Sequence, residues 1–521
     1  MKMKRTFLLT AALAALCGCA VAAQPSAVEI RIGEKQAAGQ TIAREIYGQF
    51  AEHLGTCIYG GLWVGPESEI PNEEGYRLDV LEALRAIRVP VLRWPGGCFA
   101  DEYHWMDGIG PRSQRPRMVN SNWGGTVEDN SFGTHEFLNL CELLGCEPYV
   151  SGNVGSGSVE EMAKWVEYMT SDSESTMAQL RRKNGREKPW KVKYFGVGNE
   201  SWGCGGNMRV EYYADLYRRY AIYARDYSGN RLYRIASGAN AGDTHWTEVC
   251  MKQIGRRMDG LSVHYYAVRD WSPNKKGSAT KFSDQEYYET LSQSLRIEDC
   301  LVNHMKVMDQ YDPKKRIGFL VDEWGTWWEV EPGTNPGHLF QQNTMRDAVV
   351  ASSSLDIFQK YTDRIKMANI AQVVNVLQAM ILTRDDQMLL TPTYHVFTMY
   401  KPHKLGTFIP ADLACERITV NDKESIPQIS STQSIKDGVI TLSLTNLDLT
   451  RQHTVAVNID GMQILGAEGQ ILTSKHVDDY NDFGKGETVK PAAFKGATVK
   501  KGTLNVALPA HSIVTLTLKT K

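Results

Sequence analysis

The sequence predicts a (β/α)₈ barrel followed by an antiparallel β-sandwich of the jelly-roll type. Between about residues 45 and 395, short apolar runs alternate with amphipathic helical patterns, as expected for strand–helix units that close into a barrel. After that region the apolar residues alternate with polar ones, as in half-buried antiparallel strands. At 521 residues the chain is long enough for two domains, one of them large.

Eight strand candidates and the helices between them account for the barrel. Leucines at 78, 81 and 84 repeat at helical spacing and continue to Ile87. Ser158 and Glu161 form a capping box before another helical segment. The predicted strands are residues 45–50, 90–94, 147–152, 192–198, 233–238, 260–265, 317–323 and 371–377.

The C-terminal region shows the two-residue period of a sandwich. Ile440, Leu442 and Leu444 alternate with hydroxyl residues, and segments 455–459, 504–508 and 514–518 repeat the pattern. Val28, Ile30 and Ile32 alternate in the same way ahead of the barrel. We therefore predict that residues 24–44 supply a strand to the sandwich, that residues 45–395 form the catalytic barrel and that residues 396–521 complete the sandwich.

The N-terminus has the pattern of an export signal. Basic residues at 2, 4 and 5 precede an apolar run from 7 to 16, which is too short to span a bilayer. Residues 1–23 are therefore predicted to be a signal peptide, which implies a periplasmic, membrane-anchored or secreted protein. Two cleavage sites remain open, a lipoprotein box with a lipidated Cys19 and an ordinary site after Ala23, and we favour the lipoprotein.

Composition excludes some classes of function. The net charge of −2 gives no basic excess for nucleic acid or an anionic membrane surface. Eight of the ten cysteines lie beyond the signal, and they lack the spacing of a disulfide framework or a zinc site. We expect mostly buried thiols, a few of which an exported protein could oxidise, and no metal. The 12 tryptophans and 23 tyrosines suit stacking on sugars, although large cores also use aromatic residues.

Two glutamates carry the strongest chemical signal. Glu200 and Glu323 each end an apolar strand and each lie near a tryptophan. Cleavage of a glycosidic bond needs one carboxylic acid to protonate the leaving oxygen and one carboxylate to attack or to activate water. A single glutamate in this position is more often a cap or a surface charge. Other predicted strands also deliver polar groups to the same, catalytic end of the barrel, namely Glu52, His53, Arg93, Asn153, Asn199, His264, Tyr266, Gln372 and Asn375.

Several motifs together resemble glycoside hydrolase family 51, the α-L-arabinofuranosidases. They are residues 46–55, residues 91–116 with their Arg-Trp-Pro-Gly-Gly sequence, and the short motifs at 198–200, 264–266, 322–324 and 371–376. The resemblance covers nearly all of the chain after residue 23, in order. It implies a barrel with a sandwich, a retaining mechanism without metal or other cofactor, an arabinose-containing plant polysaccharide or oligosaccharide as substrate, and a homo-oligomer.

The resemblance also implies roles for individual residues. Glu200 resembles the acid/base of the family and Glu323 its nucleophile, and retention requires their carboxyl groups to lie about 5 Å apart. Arg93 matches an arginine that supports the nucleophile. Cys98 stands where many members have asparagine, and a thiol is a weaker hydrogen-bonding partner than an amide. The implied substrate-binding residues are Glu52, Arg93, Cys98, Asn199, His264, Tyr266 and Gln372.

The sequence thus favours a retaining, exo-acting α-L-arabinofuranosidase acting on arabinan, arabinoxylan or derived oligosaccharides. A related barrel glycosidase, such as a β-xylosidase or an endoglucanase, would use the same two glutamates, and aryl glycosides distinguish these enzymes. A non-catalytic glycan-binding lipoprotein on the same scaffold would be marked by the loss of a glutamate. Both glutamates are present, which disfavours that alternative.

Overall fold

The computed structural model describes residues 28–33 and 40–521. The predicted signal peptide and the lipidated Cys19 lie outside these residues. Among the helices of the described part of the chain, none combines the length and apolarity needed to cross a bilayer.

Eight parallel strands close into a barrel in which neighbours in sequence are neighbours in space, which confirms the predicted fold class. Side chains from six of these strands pack into one apolar cluster of their own, including Val91, Tyr149 and Leu320. The barrel is therefore filled by side chains and is not a pore. In order, its strands are Gly48–Phe50, Val91–Trp94, Glu147–Gly152, Tyr194–Val197, Tyr233–Asn240, Gly260–Ala267, Gly318–Thr326 and Ile365–Ala371.

Most of the predicted strands differ from those observed by one to three residues at an end, and the eighth differs more. The first is shorter, because Arg44–Tyr47 form a 3₁₀ helix before it. The prediction of the eighth strand at 371–377 was wrong, since Ile365–Ala371 pair with the seventh and first strands instead. Beyond Ala371 the chain turns, with Asn375 in the left-handed region at a φ of 60°. Gln372 and Asn375 therefore lie in the loop that follows the strand.

The helices follow the apolar periodicity of the sequence. In the first helix, Leu81, Leu84 and Ile87 are buried as predicted. The Ser158 side chain accepts a hydrogen bond from the backbone N–H of Glu161 at 3.1 Å and so caps the third helix. The α-helices are α1 Leu78–Ile87, α2 Thr134–Leu144, α3 Val159–Thr170, α4 Thr176–Lys183, α5 Val210–Tyr223, α6 Thr244–Ile254, α7 Asp284–Leu295, α8 Ile297–Tyr311, α9 Met345–Lys360 and α10 Pro392–Tyr400.

Two sheets form the sandwich, and the N-terminal strand belongs to one of them as predicted. Val28–Ile32 pairs antiparallel with Ala411–Ala414 but parallel with His453–Ile459, so this sheet is mixed. The alternating apolar residues of both sheets meet in one core. The first sheet contains Ala411–Ala414, Val28–Ile32, His453–Ile459, Thr503–Leu508 and Ala497–Lys500, and the second Thr407–Phe408, Ile429–Lys436, Val439–Asn446, Ile513–Thr520, Ile464–Leu472 and Ala492–Ala493.

Helix α9 connects the barrel to the sandwich through buried polar contacts. Asp356 accepts hydrogen bonds from the hydroxyls of Tyr400 at 2.9 Å and Ser430 at 2.6 Å. Gln359 accepts one from the hydroxyl of Thr432 at 3.2 Å. Because Ser430 and Thr432 lie on the second sheet, these bonds set the position of the sandwich against the barrel.

Candidate active site

Glu200 and Glu323 meet at the C-terminal end of the barrel. Glu323 lies within the seventh strand, and Glu200 lies in the loop that follows the fourth. His264, on the sixth strand, is paired in register with Glu323. One carboxylate oxygen from each glutamate and a ring nitrogen of His264 all lie within 4.8 Å of one another. The barrel thus brings together two carboxyl groups that are 123 residues apart in sequence.

The surroundings of Glu323 favour its ionised form. Its Oε1 accepts a hydrogen bond from Arg93 Nη1 at 2.8 Å, and its Oε2 accepts one from the Tyr266 hydroxyl at 2.8 Å. Burial alone would raise the pKa of Glu323, but the positive charges of His264 and Arg93 outweigh it and hold that pKa below its usual range. Glu323 is therefore held in its carboxylate form, which is the form that a nucleophilic attack requires.

Arg93 is buried at the centre of the site. Its Nη2 donates to Asn199 Oδ1 at 2.5 Å, and its guanidinium carbon lies 4.4 Å from the centre of the Phe50 ring. Burial by itself disfavours the charge, but Asp322 and Glu323 outweigh it and raise the pKa of Arg93 above its ordinary value. Arg93 therefore stays charged and orients Glu323 and Asn199 together.

Glu200 is held by its backbone and by His264. Its φ of 39° lies in the left-handed region, and its carbonyl accepts hydrogen bonds from the N–H groups of Gly203 at 2.7 Å and Gly205 at 3.1 Å. Its Oε1 lies 2.8 Å from His264 Nδ1, which is 3.5 Å from Glu323 Oε2. Burial would lower the pKa of His264, but Glu323 and Glu200 raise it above its usual value. The imidazole is thus placed to share a proton with Glu200.

Glu52 is a third carboxyl group in the site. Its Oε1 accepts from Trp123 Nε1 at 3.0 Å and from the Phe99 N–H at 3.1 Å, and its Oε2 accepts from Gln372 Nε2 at 2.9 Å. Burial, and then the charge of Glu323, raise the pKa of Glu52 to about 7. A Cβ atom at Gly97 would lie only 2.3 Å from Glu52 Oε1, so the loop after the second strand needs glycine there.

Two of the buried side-chain amides with unpaired polar atoms belong to predicted substrate-binding residues, Asn199 and Gln372. Asn199 Nδ2 and Gln372 Oε1 have no hydrogen-bond partner among the described residues. Such orphaned buried groups are rare unless a ligand or water completes them. One is a donor and the other an acceptor, so together they suit the hydroxyl groups of a sugar.

Comparisons with known proteins show the family to which this chain belongs. The family described as "Alpha-L-arabinofuranosidase 1 domain" matches residues 83–288, and the "Alpha-L-arabinofuranosidase C-terminal domain" matches residues 322–512. An intracellular exo-alpha-L-arabinofuranosidase of Bacteroides ovatus is 64% identical over 481 residues, which cover 92% of this chain and 93% of the relative. The chain belongs to the glycoside hydrolase family 51 α-L-arabinofuranosidases.

Solved structures agree with this family. The GH51 arabinofuranosidase of Xanthomonas axonopodis pv. citri superposes with a TM-score of 0.92 at 51% identity, covering 95% of this chain and 100% of that one. The α-L-arabinofuranosidase of Thermotoga maritima, solved as an arabinose complex, superposes with a TM-score of 0.83 at 29% identity over the same shares. This protein is thus an α-L-arabinofuranosidase, a glycoside hydrolase.

The prediction of export is wrong for this arabinofuranosidase. The 64% identical relative is named an intracellular enzyme, which contradicts a periplasmic, membrane-anchored or secreted location. The prediction depended on a charged start and a short apolar run in residues 1–23. That pattern alone is weakly specific, because a short apolar segment has several structural uses.

The expected role of the Cys98 thiol also requires correction. In this arabinofuranosidase Cys98 forms a disulfide with Cys204, so it has no S–H group to offer a sugar. Sequence spacing gave no sign of this bond, because the two cysteines are 106 residues apart and only the barrel brings their loops together. The free cysteines at 57, 141, 146, 250 and 300 are buried as expected, and Cys415 is half-buried.

The structure brings most of the predicted site residues together but not all of them. His53 accepts a hydrogen bond from Trp94 Nε1 at 3.1 Å within an aromatic cluster. Asn153 closes its own loop by accepting from the N–H groups of Ser156 and Gly157. The residues that meet around the two glutamates are Glu52, Arg93, Cys98, Asn199, His264, Tyr266 and Gln372.

Three residues of the site were not predicted from the sequence. Trp123 binds Glu52 from a loop far from any predicted strand. Asp101 accepts hydrogen bonds from backbone N–H groups of two neighbouring loops. Asp322 accepts from the Tyr149 hydroxyl at 2.6 Å and faces Arg93. Only Asp322 had a usable signal, since it directly precedes Glu323 in the sequence.

Trp327 and Trp328, which directly follow the seventh strand, have different environments. Trp328 is buried and donates from Nε1 to Asp347 at 3.0 Å, so it belongs to the core of the loop. Trp327 is half-buried and packs edge-on against Tyr266, with 5.1 Å between the ring centres. Trp327 therefore borders the site, whereas Trp328 supports it.

Within the part of the chain that the structure describes, two groups of ligand-type side chains come close enough to hold a metal ion. One is Glu200, His264 and Glu323, and the other is Cys98, Glu200 and Cys204. The disulfide makes the two sulfurs of the second group poor ligands, because a thiolate is the form that binds metal. The absence of a metal from the mechanism remains a prediction that chelation tests.

Proposed function

We propose that this enzyme releases terminal, non-reducing α-L-arabinofuranosyl residues by a retaining double displacement. The observation that carries the proposal is the close approach of Glu200 and Glu323, whose nearest carboxylate oxygens lie within 4.8 Å. Retaining glycosidases hold their carboxyl groups about 5 Å apart, whereas inverting enzymes leave about 6.5–9.5 Å for a water molecule. The separation supports direct attack by a carboxylate.

In the first step, Glu323 attacks the anomeric carbon while Glu200 protonates the oxygen that leaves. Arg93 and Tyr266 each bind one oxygen of Glu323. They hold the carboxylate in one orientation and keep it ionised. Both effects lower the activation free energy of the attack. The products of this step are an arabinosyl ester of Glu323 and the released alcohol.

In the second step, Glu200 removes a proton from water and that water attacks the ester. The sugar leaves with the configuration it had in the substrate, and Glu323 regains its negative charge. His264 touches Glu200 and lies near Glu323. It can therefore stabilise whichever of the two carboxylates is charged at each stage.

Glu52, Asn199 and Gln372 are the groups that we assign to the hydroxyls of the arabinose ring. Gln372 donates a hydrogen bond to Glu52. The atoms without hydrogen-bond partners, Asn199 Nδ2 and Gln372 Oε1, supply a donor and an acceptor for the sugar. Because these groups are buried, a substrate that lacks a matching hydroxyl would leave them unpaired at a cost of about 1–3 kcal/mol each.

Aryl glycosides test the proposal. The enzyme should hydrolyse an aryl α-L-arabinofuranoside far faster than an aryl β-xyloside and should leave glucan intact. Proton NMR of the early reaction should show the α-anomer of arabinose before it mutarotates. Preference for the xyloside or glucan would replace this function with that of the related barrel glycosidases, and the β-anomer would exclude retention.

Other properties are proposed on the resemblance to the family alone. We take arabinan, arabinoxylan or their oligosaccharides as substrates and a homo-oligomer as the assembled state. The limit between barrel and sandwich at residues 395 and 396 came instead from the change of apolar period. Helix α10, Pro392–Tyr400, runs across that point, so we now propose a limit after Tyr400. Product analysis on each polymer, light scattering and limited proteolysis test these three points separately.

A further inference from the structure

A disulfide forms one wall of the site beside Glu200. It joins Cys98, in the loop that follows the second strand, to Cys204, in the loop that follows the fourth strand. The Cα atoms of the two residues are 5.4 Å apart. The third strand lies between the second and fourth strands in the barrel, so the bond connects loops from strands that are not neighbours.

The two oxygens of the Glu200 carboxyl group have different surroundings. Oε1 is 2.8 Å from His264 Nδ1. Oε2 faces the disulfide, at 3.4 Å from the sulfur of Cys204 and 3.9 Å from that of Cys98. A disulfide sulfur carries no hydrogen to donate, and within residues 28–33 and 40–521 no N–H or O–H group donates to Oε2. The disulfide thus covers this oxygen without stabilising its negative charge.

The backbone around Glu200 depends on the same bond. Gly203 and Gly205 donate to the Glu200 carbonyl and enclose Cys204 in a tight turn. Asp101, in the segment that begins with Cys98, accepts from the Asn199 N–H at 3.2 Å. The covalent link therefore holds the turn of Glu200 against the segment that also borders Glu52.

The bond is also within reach of a reductant. Cys204 is exposed, whereas five of the six free cysteines in the described part of the chain are buried. Exposed disulfides are attacked by thiolates through a mixed-disulfide intermediate. A dithiol can therefore act on this pair without unfolding the barrel.

We propose that the Cys98–Cys204 disulfide is a positioning element for the acid/base Glu200, and that its reduction by a dithiol weakens acid/base catalysis. The proposal depends on the role assigned to Glu200 above. The dithiol supplies two electrons and two protons, so the S–S bond breaks, two S–H groups form, and the dithiol closes its own disulfide.

Reduction changes the chemistry at Oε2 in a definite direction. The new S–H groups of Cys98 and Cys204 can donate to Oε2, which favours the carboxylate over the acid. The basic limb of the pH–rate profile should then move to lower pH. The other titratable and charged groups around Glu200 are His264, Tyr266, Glu323 and, beyond Glu323, Arg93, and none of them is altered by a dithiol.

The experiment compares oxidised and dithiothreitol-reduced enzyme on aryl arabinofuranosides with good and poor leaving groups. Alkylation and mass spectrometry of the intact protein count the thiols in each state. Reduction should lower kcat/KM for a poor leaving group by about tenfold, and change it less than about twofold for a good one, which needs little protonation. Reoxidation should restore both rates.

Two variants serve as controls. Cys98→Ala with Cys204→Ala should show the loss on poor leaving groups without any response to dithiothreitol. Cys415→Ser should respond as the unchanged enzyme does, because Cys415 is the half-buried free thiol outside the site. If the double variant fails to fold, the reversible change in the unchanged enzyme still decides the proposal.

Three results would overturn it. The first is the absence of a disulfide in the oxidised enzyme. The second is an identical kcat/KM and an identical basic limb of the pH–rate profile in both redox states. The third is an equal loss of kcat/KM on substrates with good and with poor leaving groups. Azide rescue of Glu200→Ala tests the role of Glu200 independently, so failure of that role is distinguishable from failure of the disulfide proposal.

Discussion

At the scale of single residues, the charge of each carboxyl group depends on its contacts. Glu323 receives hydrogen bonds from Arg93 and Tyr266 and has a lowered pKa. Glu52 is also buried and hydrogen-bonded, yet it receives no cationic donor, and its pKa rises to about 7. Burial raises the pKa of both carboxyl groups. Near Glu323, the positive charges of the Arg93 guanidinium and the His264 imidazole outweigh burial and lower the pKa.

Replacing Glu323 with glutamine should abolish turnover while the fold survives. An amide cannot form the glycosyl ester, so kcat on an aryl arabinofuranoside should fall by several orders of magnitude. Circular dichroism and the unfolding temperature check the fold. Glu74→Gln, at an exposed position, is the matched control. Activity near that of the unchanged enzyme would exclude Glu323 as the nucleophile.

Replacing Glu200 with alanine should affect substrates according to their leaving groups. Those that need protonation should lose the most activity, and the basic limb of the pH profile should disappear. Azide should restore turnover on good leaving groups by taking the place of the activated water. The product should be the α-arabinofuranosyl azide, because attack on the ester of Glu323 inverts that centre a second time. Equal loss on all substrates without rescue would contradict the assignment.

At the scale of elements, one buried aspartate joins three loops of the barrel. Asp101 Oδ1 accepts from the N–H groups of Val154 and Gly155 at 2.9 Å each, and Oδ2 accepts from that of Asn199 at 3.2 Å. Burial raises the pKa of Asp101 to about 7, and these backbone donors oppose that rise. The aspartate thereby connects the loop after the second strand with those after the third and fourth.

Asp101→Asn should disturb this arrangement without touching the substrate. Its amide N–H₂ would face a backbone N–H, so one donor would be left unpaired at a cost of about 1–3 kcal/mol. We expect a lower unfolding temperature and a fall in kcat of up to about a hundredfold from misplacement of Glu200. Asp107→Asn, half-buried in a nearby segment, is the control. Unchanged kcat and stability would show that the loops do not need Asp101.

At the scale of the whole molecule, α9 makes the stability of the assembly depend on pH. Asp356 is buried between the barrel and the sandwich, and burial raises its pKa from 3.8 to about 7. The folded protein therefore holds this proton more tightly than the unfolded chain does. The resulting stabilisation is complete below about pH 4 and is lost as the pH rises through about 7.

Asp356→Asn should remove this part of the pH dependence. Asparagine stays neutral, so the decline in unfolding temperature between pH 5 and pH 8 should be smaller than in the unchanged enzyme. Differential scanning calorimetry across this range measures it. Asp386→Asn, at an exposed position, should leave the decline as it was. The same slope in the Asp356 variant would show that this carboxyl group does not titrate with unfolding.

Removing metal ions should leave the activity of the whole enzyme intact. Each step of the proposed mechanism uses carboxyl groups and their hydrogen-bonding partners, and none needs a Lewis acid. Activity after exhaustive dialysis against EDTA, with and without added Zn²⁺, Mg²⁺ or Ca²⁺, checks this. Loss of activity that a divalent ion restores would assign a metal to one of the carboxylate clusters.

The sequence by itself determined the fold class and the two glutamates. The alternation of strands and helices is local information, and so is the change to a two-residue period after the barrel. Because the carboxyl ends of parallel strands meet at one face, Arg93, Glu200, His264 and Glu323 could be placed together from their positions after or within strands. The N-terminal strand was likewise visible from the alternation of three apolar residues.

Only the tertiary structure decided the contacts between distant loops. The Cys98–Cys204 bond, the hydrogen bond from Trp123 to Glu52 and the backbone contacts of Asp101 join segments whose separation in sequence says nothing about their distance in space. The position of the eighth strand was predicted wrongly for a related reason. Residues 365–371 and 372–377 are both apolar, and pairing with the seventh and first strands, rather than composition, selects which of them forms the strand.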